Sequence, residues 1–131
     1  MGALAMQIKP KSSPALEAFM AAYRAETTSH PLAGFLRIWS NRVYFEVRPF
    51  DGAIRLALIQ TIFPEDRQRG YGHAALSWFC ALADRYGVEI RGHIDAQGEE
   101  PRLTAAQLRS WYKRHGFKIE RTSMRRLPKC Q

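Results

Sequence analysis

The sequence predicts an α/β fold of the α+β type, in which helices flank a central mixed sheet that is mostly antiparallel. Two observations support this prediction. Apolar residues recur with a helical period in some segments and with a strand-like pattern in the others. The order of the segments also places a strand, a helix and a second strand in succession, an arrangement that makes the two strands parallel neighbours.

The first predicted element is a helix over residues 15–28, "ALEAFMAAYRAETT". Its apolar residues stand at i, i+3, i+4 and i+7, which is the spacing of one helical face; they are Leu16, Phe19, Met20 and Tyr23. We expect residues 1–12 to be disordered and residues 1–131 to form a single domain.

Residues 34–63 change to strand-like patterns. The segments at 34–39, 42–48 and 53–63 are rich in β-branched and aromatic residues. Ser40-Asn41 and Asp51-Gly52 separate them, so the segments predict a three-stranded antiparallel meander with tight turns.

The second half predicts a helix, a strand, a short helix and a terminal hairpin. This helix, the second of the chain, ends at Gly87. Residues 88–96 then alternate between apolar and polar, as in a strand with one buried face. Thr104 and Gln107 form a capping-box pattern that opens the short helix, which Gly116 closes. Residues 117–127 can supply the final hairpin.

Composition narrows the class of protein. The 131 residues carry a net charge of +8, and no apolar segment is long enough to cross a bilayer. The two cysteines suggest neither a disulfide nor a metal site, so we expect a cytoplasmic protein without a metal.

The charge is concentrated near the end of the chain. Residues 107–131 contain eight basic residues and one acidic residue, a net of +7. Such a segment attracts nucleic acid, a phosphorylated cofactor or an acidic partner. The alternative is a solvated basic face that serves solubility alone.

Two glycines, Gly70 and Gly72, stand where the second helix should begin, with Arg67 and Arg69 beside them. First-turn N–H groups have no partner within a helix and bind phosphate well. The segment does not match the P-loop pattern, and Ala75 occupies the third glycine position of the dinucleotide fingerprint. A pyrophosphate would suit this turn; alternatively, the glycines only allow close packing.

Two motifs together resemble the GNAT superfamily of N-acetyltransferases. The segment "TIFPEDRQRGYGHAALSWFCALADRYG" resembles motif A of that family, and "LRSWYKRHGF" resembles the end of its motif B. The resemblance covers residues 54–127 well. The ending of the chain is most similar to small acetyltransferase-like proteins of bacteriophages and bacteria.

The resemblance implies that acetyl-CoA binds in a cleft where two parallel strands, residues 54–63 and 88–96, splay apart. It implies that Ile62 and Phe63 bond the pantetheine arm through their backbones, and that an N–H near Ile62 polarises the thioester carbonyl. Within the cofactor-binding turn it implies that Arg67 stabilises the backbone, and the residues that it places around the pyrophosphate are Gln68, Arg69, Gly70, Tyr71, Gly72 and His73.

The resemblance also implies that Tyr112 donates a hydrogen bond to the departing thiolate. A structural role on an apolar stripe with Leu108 and Trp111 is the alternative. The general base that removes a proton from the substrate ammonium is harder to assign. Many relatives use a glutamate on the strand before motif A, and that strand has no carboxylate here. We assign the base to His93, although a surface or structural role is the commoner one for such a histidine; Asp95 and Glu46 are the other candidates.

The leading functional hypothesis is an acetyl-CoA-dependent N-acetyltransferase that acts on an amine, either a small molecule or a macromolecule. The alternatives are a nucleic-acid-modifying enzyme of the same fold and a noncatalytic binding module. The basic C-terminal segment favours an anionic acceptor, such as nucleic acid or an acidic protein surface. A homodimer is also among the expected assemblies.

Overall fold

The computed structural model describes residues 13–63, 65, 69–94 and 104–129. The predictions for residues 1–12, for Arg67 and Gln68 and for Asp95 lie outside the described residues. The elements within them, in chain order, are α1 (Pro14–Ala25), β1 (Thr28–Ser29), β2 (Arg37–Trp39), β3 (Val43–Phe50), β4 (Ala53–Thr61), α2 (Tyr71–Tyr86), β5 (Ile90–His93), α3 (Ala105–Arg114), β6 (Lys118–Glu120) and β7 (Ser123–Arg126).

The strands form one sheet in the order β1-β2-β3-β4-β5-β7-β6. β4 and β5 are parallel, and every other neighbouring pair is antiparallel. The predicted fold class is therefore confirmed. The meander has one more strand than the sequence predicted, because β1 pairs with β2.

The ends of the helices follow local chemistry. The Ser13 hydroxyl accepts the Leu16 N–H at 3.1 Å and starts α1. The predicted capping box of α3 is present, with Thr104 and Gln107 bonded reciprocally. α1 ends at Ala25 rather than at residue 28, because Thr28 and Ser29 pair with β2 as a strand instead.

The core lies on one face of the sheet, where α1, α2 and α3 all contribute to a single cluster. Alternation along the strands separates the two faces. Ile90 and Gly92 of β5 are buried, whereas the exposed His93 lies on the other side with Arg91. We call the two sides the helix-covered face and the open face; no described helix packs on the open face.

A buried ion pair ties the end of the chain to the helices. Arg126 is 4% exposed and bonds both Asp84 oxygens, at 2.7 and 3.0 Å. It also donates to the His115 carbonyl at 2.8 Å. Burial favours the neutral acid, yet the hydrogen bonds from Arg126 and the Lys129 N–H outweigh it and hold the pKa of Asp84 below its usual range. Arg126 thus joins β7 to both α2 and α3.

Candidate active site

Among the described residues, the pairing between β4 and β5 ends after the third pair, and we call the region beyond it the gap. The parallel ladder joins Ile54 to Ile90 and ends where Leu56 meets Gly92, although β4 continues to Thr61. Gly92 permits this close approach, because a Cβ there would lie 2.8 Å from the Leu56 carbonyl oxygen. Beyond Leu56, one backbone edge of β4 is no longer paired with β5.

An irregularity in β4 marks the point where the gap begins. β3 pairs Val47 with Leu56 but Glu46 with Leu58, so Ala57 is an extra residue in β4. A β-bulge of this kind bends its strand and increases the local twist. The bulge lies directly after the last residue of β4 that pairs with β5, Leu56.

The backbone of Ile62 faces β3 rather than this gap. Its N–H donates to the Arg42 carbonyl at 2.8 Å, so a ligand would have to compete for that group. Alternate residues of a strand direct their backbone hydrogen bonds to opposite sides. Thr61 and Ile59 therefore direct theirs away from β3, to the side of β4 beyond its last pair with β5, which we call the open edge of β4. The roles of Ile62 and the exposed Phe63 toward a pantetheine arm stay predictions.

The N-terminus of α2 has the geometry of an anion site. Gly70 is the N-cap in the left-handed region, with φ of +88°, and no side chain caps the helix. The first turn contains no acidic residue. The N–H groups of Tyr71, Gly72 and His73 occupy positions without intrahelical partners and carry the positive end of the dipole. Arg69 is exposed beside them.

Helix α3 forms a wall beside this turn. A Cβ on Gly72 would lie 3.7 Å from Trp111 and 3.9 Å from the Thr61 hydroxyl, so the ends of β4 and the start of α2 meet α3 here. Steric space does not require glycine at this position. The His73 and His115 rings are 4.8 Å apart, and the guanidinium of Arg42 lies over the ring of Tyr71 at 4.6 Å.

His115 is an unusual member of this wall. Its Nε2 atom is buried and has no hydrogen-bond partner in the part of the chain that the structure describes. Burial lowers the pKa of His115, and the neighbouring His73, Arg114 and Arg126 lower it further. These effects favour the neutral form of the ring close to the predicted anion site, whereas a bound phosphate there would favour its protonation.

Tyr112 lies on the helix-covered face and is 7% exposed. Its ring packs against Trp111 and Phe117, with centroids 5.0 and 5.2 Å away. Burial, together with a smaller contribution from the nearby Cys80, raises the pKa of Tyr112 to about 12. With a thiol pKa of about 8.5, proton transfer from this phenol to a thiolate is uphill by roughly 5 kcal/mol. Tyr112 is thus suited to donating a hydrogen bond and poorly suited to giving up its proton.

His93 lies on the opposite side of the sheet from Tyr112. It is exposed on the open face, where Ser123 of β7 is its register partner. Glu46 shares that face and is bonded to Arg48 at 2.6 Å. A reaction that used both Tyr112 and His93 would have to take place between the strands, in the gap beyond Leu56, and both assignments stay predictions.

The basic C-terminal segment does not form one patch. Arg126 is buried in its pair with Asp84, and Lys113 and Arg114 are exposed on α3. Arg125 and Lys118 lie on the open face, on neighbouring strands. Basic residues that are close in the sequence therefore lie on different parts of the surface or in the interior.

The described helices and strands define a GNAT-like fold, with a mostly antiparallel sheet and one splayed parallel pair. The structure is similar to that of the anti-CRISPR protein AcrVA5, with a TM-score of 0.55 and 14% identity over 67% of this chain and 93% of that one. It is also similar to Ard1 from Thermoplasma volcanium, with a TM-score of 0.53 and 14% identity over 94% of this chain and 84% of that one.

At these identities the likeness establishes the fold. No protein-family model and no curated protein sequence matches the chain.

None of the described helices is long and apolar enough to cross a membrane. The described residues contain no group of three or more side chains that could hold a metal ion.

The geometry gives a place in the candidate site to residues for which the sequence indicated no such role. Thr61 and Ile59 present backbone at the open edge, and Trp111 and His115 form the wall beside α2. The alternation of β4 could have indicated Thr61, but the bulge at Ala57 is invisible in the sequence. His115 follows α3 directly, and no pattern in the sequence pairs it with His73.

Proposed function

We propose that this protein is an acetyl-CoA-dependent N-acetyltransferase that transfers the acetyl group directly to an amine. The observation that carries the proposal is the meeting of two features at one place. One edge of β4, which beyond Leu56 has no partner among the described residues, leads to the N-terminus of α2, where no described side chain caps the helix, and Thr61 lies close to Gly72 at their junction. An extended arm that ends in a pyrophosphate matches this arrangement of a strand edge followed by an anion site.

In this proposal the N–H groups of Tyr71, Gly72 and His73 hold the pyrophosphate, and Arg69 adds charge. Arg67 and Gln68 keep the roles that the motif implies. The open edge of β4 aligns the pantetheine arm as an added strand would be aligned. The cofactor supplies an activated acetyl group, and the protein supplies position and excludes water.

The chemical step requires a neutral amine. Attack on the thioester carbonyl forms the C–N bond, the C–S bond breaks, and the electron pair leaves with sulfur. Tyr112 stabilises that thiolate by donating a hydrogen bond and keeps its own proton, as its raised pKa requires. The proton lost by the amine passes to His93 or to solvent.

The decisive test is calorimetric titration of the protein with acetyl-CoA and with CoA. Gly70→Glu places bulk and negative charge at the proposed pyrophosphate site, and we expect it to abolish micromolar binding. Gly34→Glu is the matched control, because Gly34 is exposed, its φ is not positive and a Cβ there meets nothing within 4 Å. Gly70→Ala separates backbone strain from charge, since φ is strained equally but no charge is added.

Loss of binding in Gly70→Glu alone supports the cofactor site. Equal binding by wild type and Gly70→Glu, or no binding by folded wild type, contradicts the proposal. Tyr112→Phe then tests the chemistry, because it should lower kcat for an amine acceptor while cofactor affinity stays unchanged. An unchanged kcat would remove Tyr112 from the mechanism.

A further inference from the structure

Five basic side chains line up across the open face of the sheet. The strand register pairs Arg48 with Arg55, Arg55 with Arg91, Arg91 with Arg125, and Arg125 with Lys118. We call these residues the basic row. Neighbouring strands lie about 4.8 Å apart, so the row extends for about 19 Å across five strands.

This arrangement works against the stability of the sheet. Like charges directly opposite one another on adjacent strands are destabilising, and the basic row contains four such pairs in succession. A surface selected for solubility alone could place the same charges apart or alternate their sign. The succession therefore suggests a ligand that carries regularly spaced negative charge.

The neighbouring carboxylates neutralise the row only in part. Glu89 is shared between Arg91 at 2.7 Å and Arg125 at 2.9 Å, and Asp51 lies 3.5 Å from Arg91. Glu46 pairs with Arg48. Within the described part of the chain, no carboxylate lies within ion-pair distance of Arg55 or Lys118. Arg48 and Arg125 remain 64% and 59% exposed despite their partners.

Aromatic and apolar side chains accompany the row. Phe50 is 51% exposed, and the Arg55 guanidinium lies 5.8 Å from its ring centroid. Tyr44 is half-buried on the same face, and the exposed Leu127 follows Arg125 by two residues. Cations that follow a phosphate backbone, combined with exposed rings on which unpaired bases stack, are the two components of single-strand recognition.

We propose that the open face is a binding surface for single-stranded nucleic acid, with the basic row on the phosphates and Phe50 on a base. A duplex fits less well, because its stacked bases offer no free face to Phe50. This surface lies opposite the helix-covered face, and the proposal does not depend on acetyl-CoA binding.

Fluorescence anisotropy with a labelled oligothymidylate of about twenty nucleotides tests the proposal, measured between about 50 and 200 mM salt. The test variant is Arg55→Gln combined with Arg125→Gln. The matched control is Lys113→Gln combined with Arg114→Gln, which removes the same charge from exposed positions of α3. Circular dichroism verifies folding, and Arg55→Gln alone serves if the double variant does not fold.

We expect the test variant to bind at least about tenfold more weakly, with a salt slope shallower by about 1.4 for two lost phosphate contacts. The control should stay within about threefold of wild type. Phe50→Ala should weaken binding and leave the salt slope unchanged, because stacking involves no charge.

Three outcomes would overturn the proposal. One is equal weakening in the test and control variants, which would reduce the effect to net charge. Another is that the wild-type protein binds a duplex of the same length, or anionic phosphatidylserine vesicles, more tightly than it binds the oligothymidylate. The third is no binding at low salt. Titration of the same variants with acetyl-CoA keeps this result separate from the cofactor proposal, since Arg55→Gln should leave that affinity unchanged.

Discussion

The two faces of the sheet use arginine in opposite ways, although they are built from the same strands. Arg126 is buried on the helix-covered face and its charge is matched by two bonds to Asp84. Arg125, the preceding residue, is exposed on the open face and shares Glu89 with Arg91. One arginine stabilises the packing of α2 and α3, whereas the other belongs to a row of like charges. Because neighbouring residues of β7 point to opposite faces, the arginine that stabilises the fold and the arginine of the candidate binding surface are adjacent in the sequence.

The largest expected effect comes from breaking the buried pair. Arg126→Met should lower the free energy of unfolding by about 3 kcal/mol, because it leaves Asp84 partly buried without its cation. Arg125→Met should change it by less than about 0.5 kcal/mol, since exposed ion pairs contribute little. Urea denaturation of both variants measures the contrast. Equal losses would show that the two faces do not differ in this way.

A close backbone approach on the helix-covered face gives the next largest effect. Gly92→Ala should cost about 2 kcal/mol, because the added methyl would lie 2.8 Å from the Leu56 carbonyl oxygen and 2.7 Å from Met124. Gly34→Ala has open space and should leave the melting temperature almost unchanged. A tolerated Gly92→Ala would mean that β4 and β5 can separate at their last pair without cost.

A smaller effect is a pH dependence that originates in the wall beside α2. The pKa of His115 is lowered in the folded protein, so the unfolded chain binds more protons between that lowered value and about 6.5. Stability should therefore decrease as the pH falls through this window, and the decrease should be absent in His115→Gln. Denaturation curves between about pH 5 and 8 measure it; a wild-type profile that is flat there would contradict the prediction.

The smallest expected effect on stability comes from the open face, and it is a gain where the preceding changes cause losses. Arg55→Gln removes a charge that faces two arginines and no described carboxylate, so it should leave stability unchanged or raise it by a few tenths of a kcal/mol. Thermal unfolding at low and high salt measures this, because salt should diminish the difference by screening the repulsion. A clear loss of stability would mean that the contact of Arg55 with Phe50 outweighs the repulsion.

Much of the fold could be predicted from local pattern. The apolar period of α1 and the capping box of α3 each depend on residues a few positions apart, and so does the alternation of β5. Local chemistry decides such features. β1 was missed because two polar residues form it and only β2 gives it a partner. The glycine turn at the start of α2 was located correctly, but the roles of its residues toward a cofactor stay predictions.

The sequence by itself determined the class of fold, the order of its elements and the turn that begins α2, since periodicity and capping are properties of neighbouring residues. Only the tertiary structure decided what depends on register between distant strands. It places His93 and Tyr112 on opposite faces and His115 against His73. It also divides the basic C-terminal segment, burying Arg126 and joining Arg125 and Lys118 to Arg48, Arg55 and Arg91. A shift of one residue in strand register would exchange the two faces, and no local pattern specifies which distant residue lies opposite.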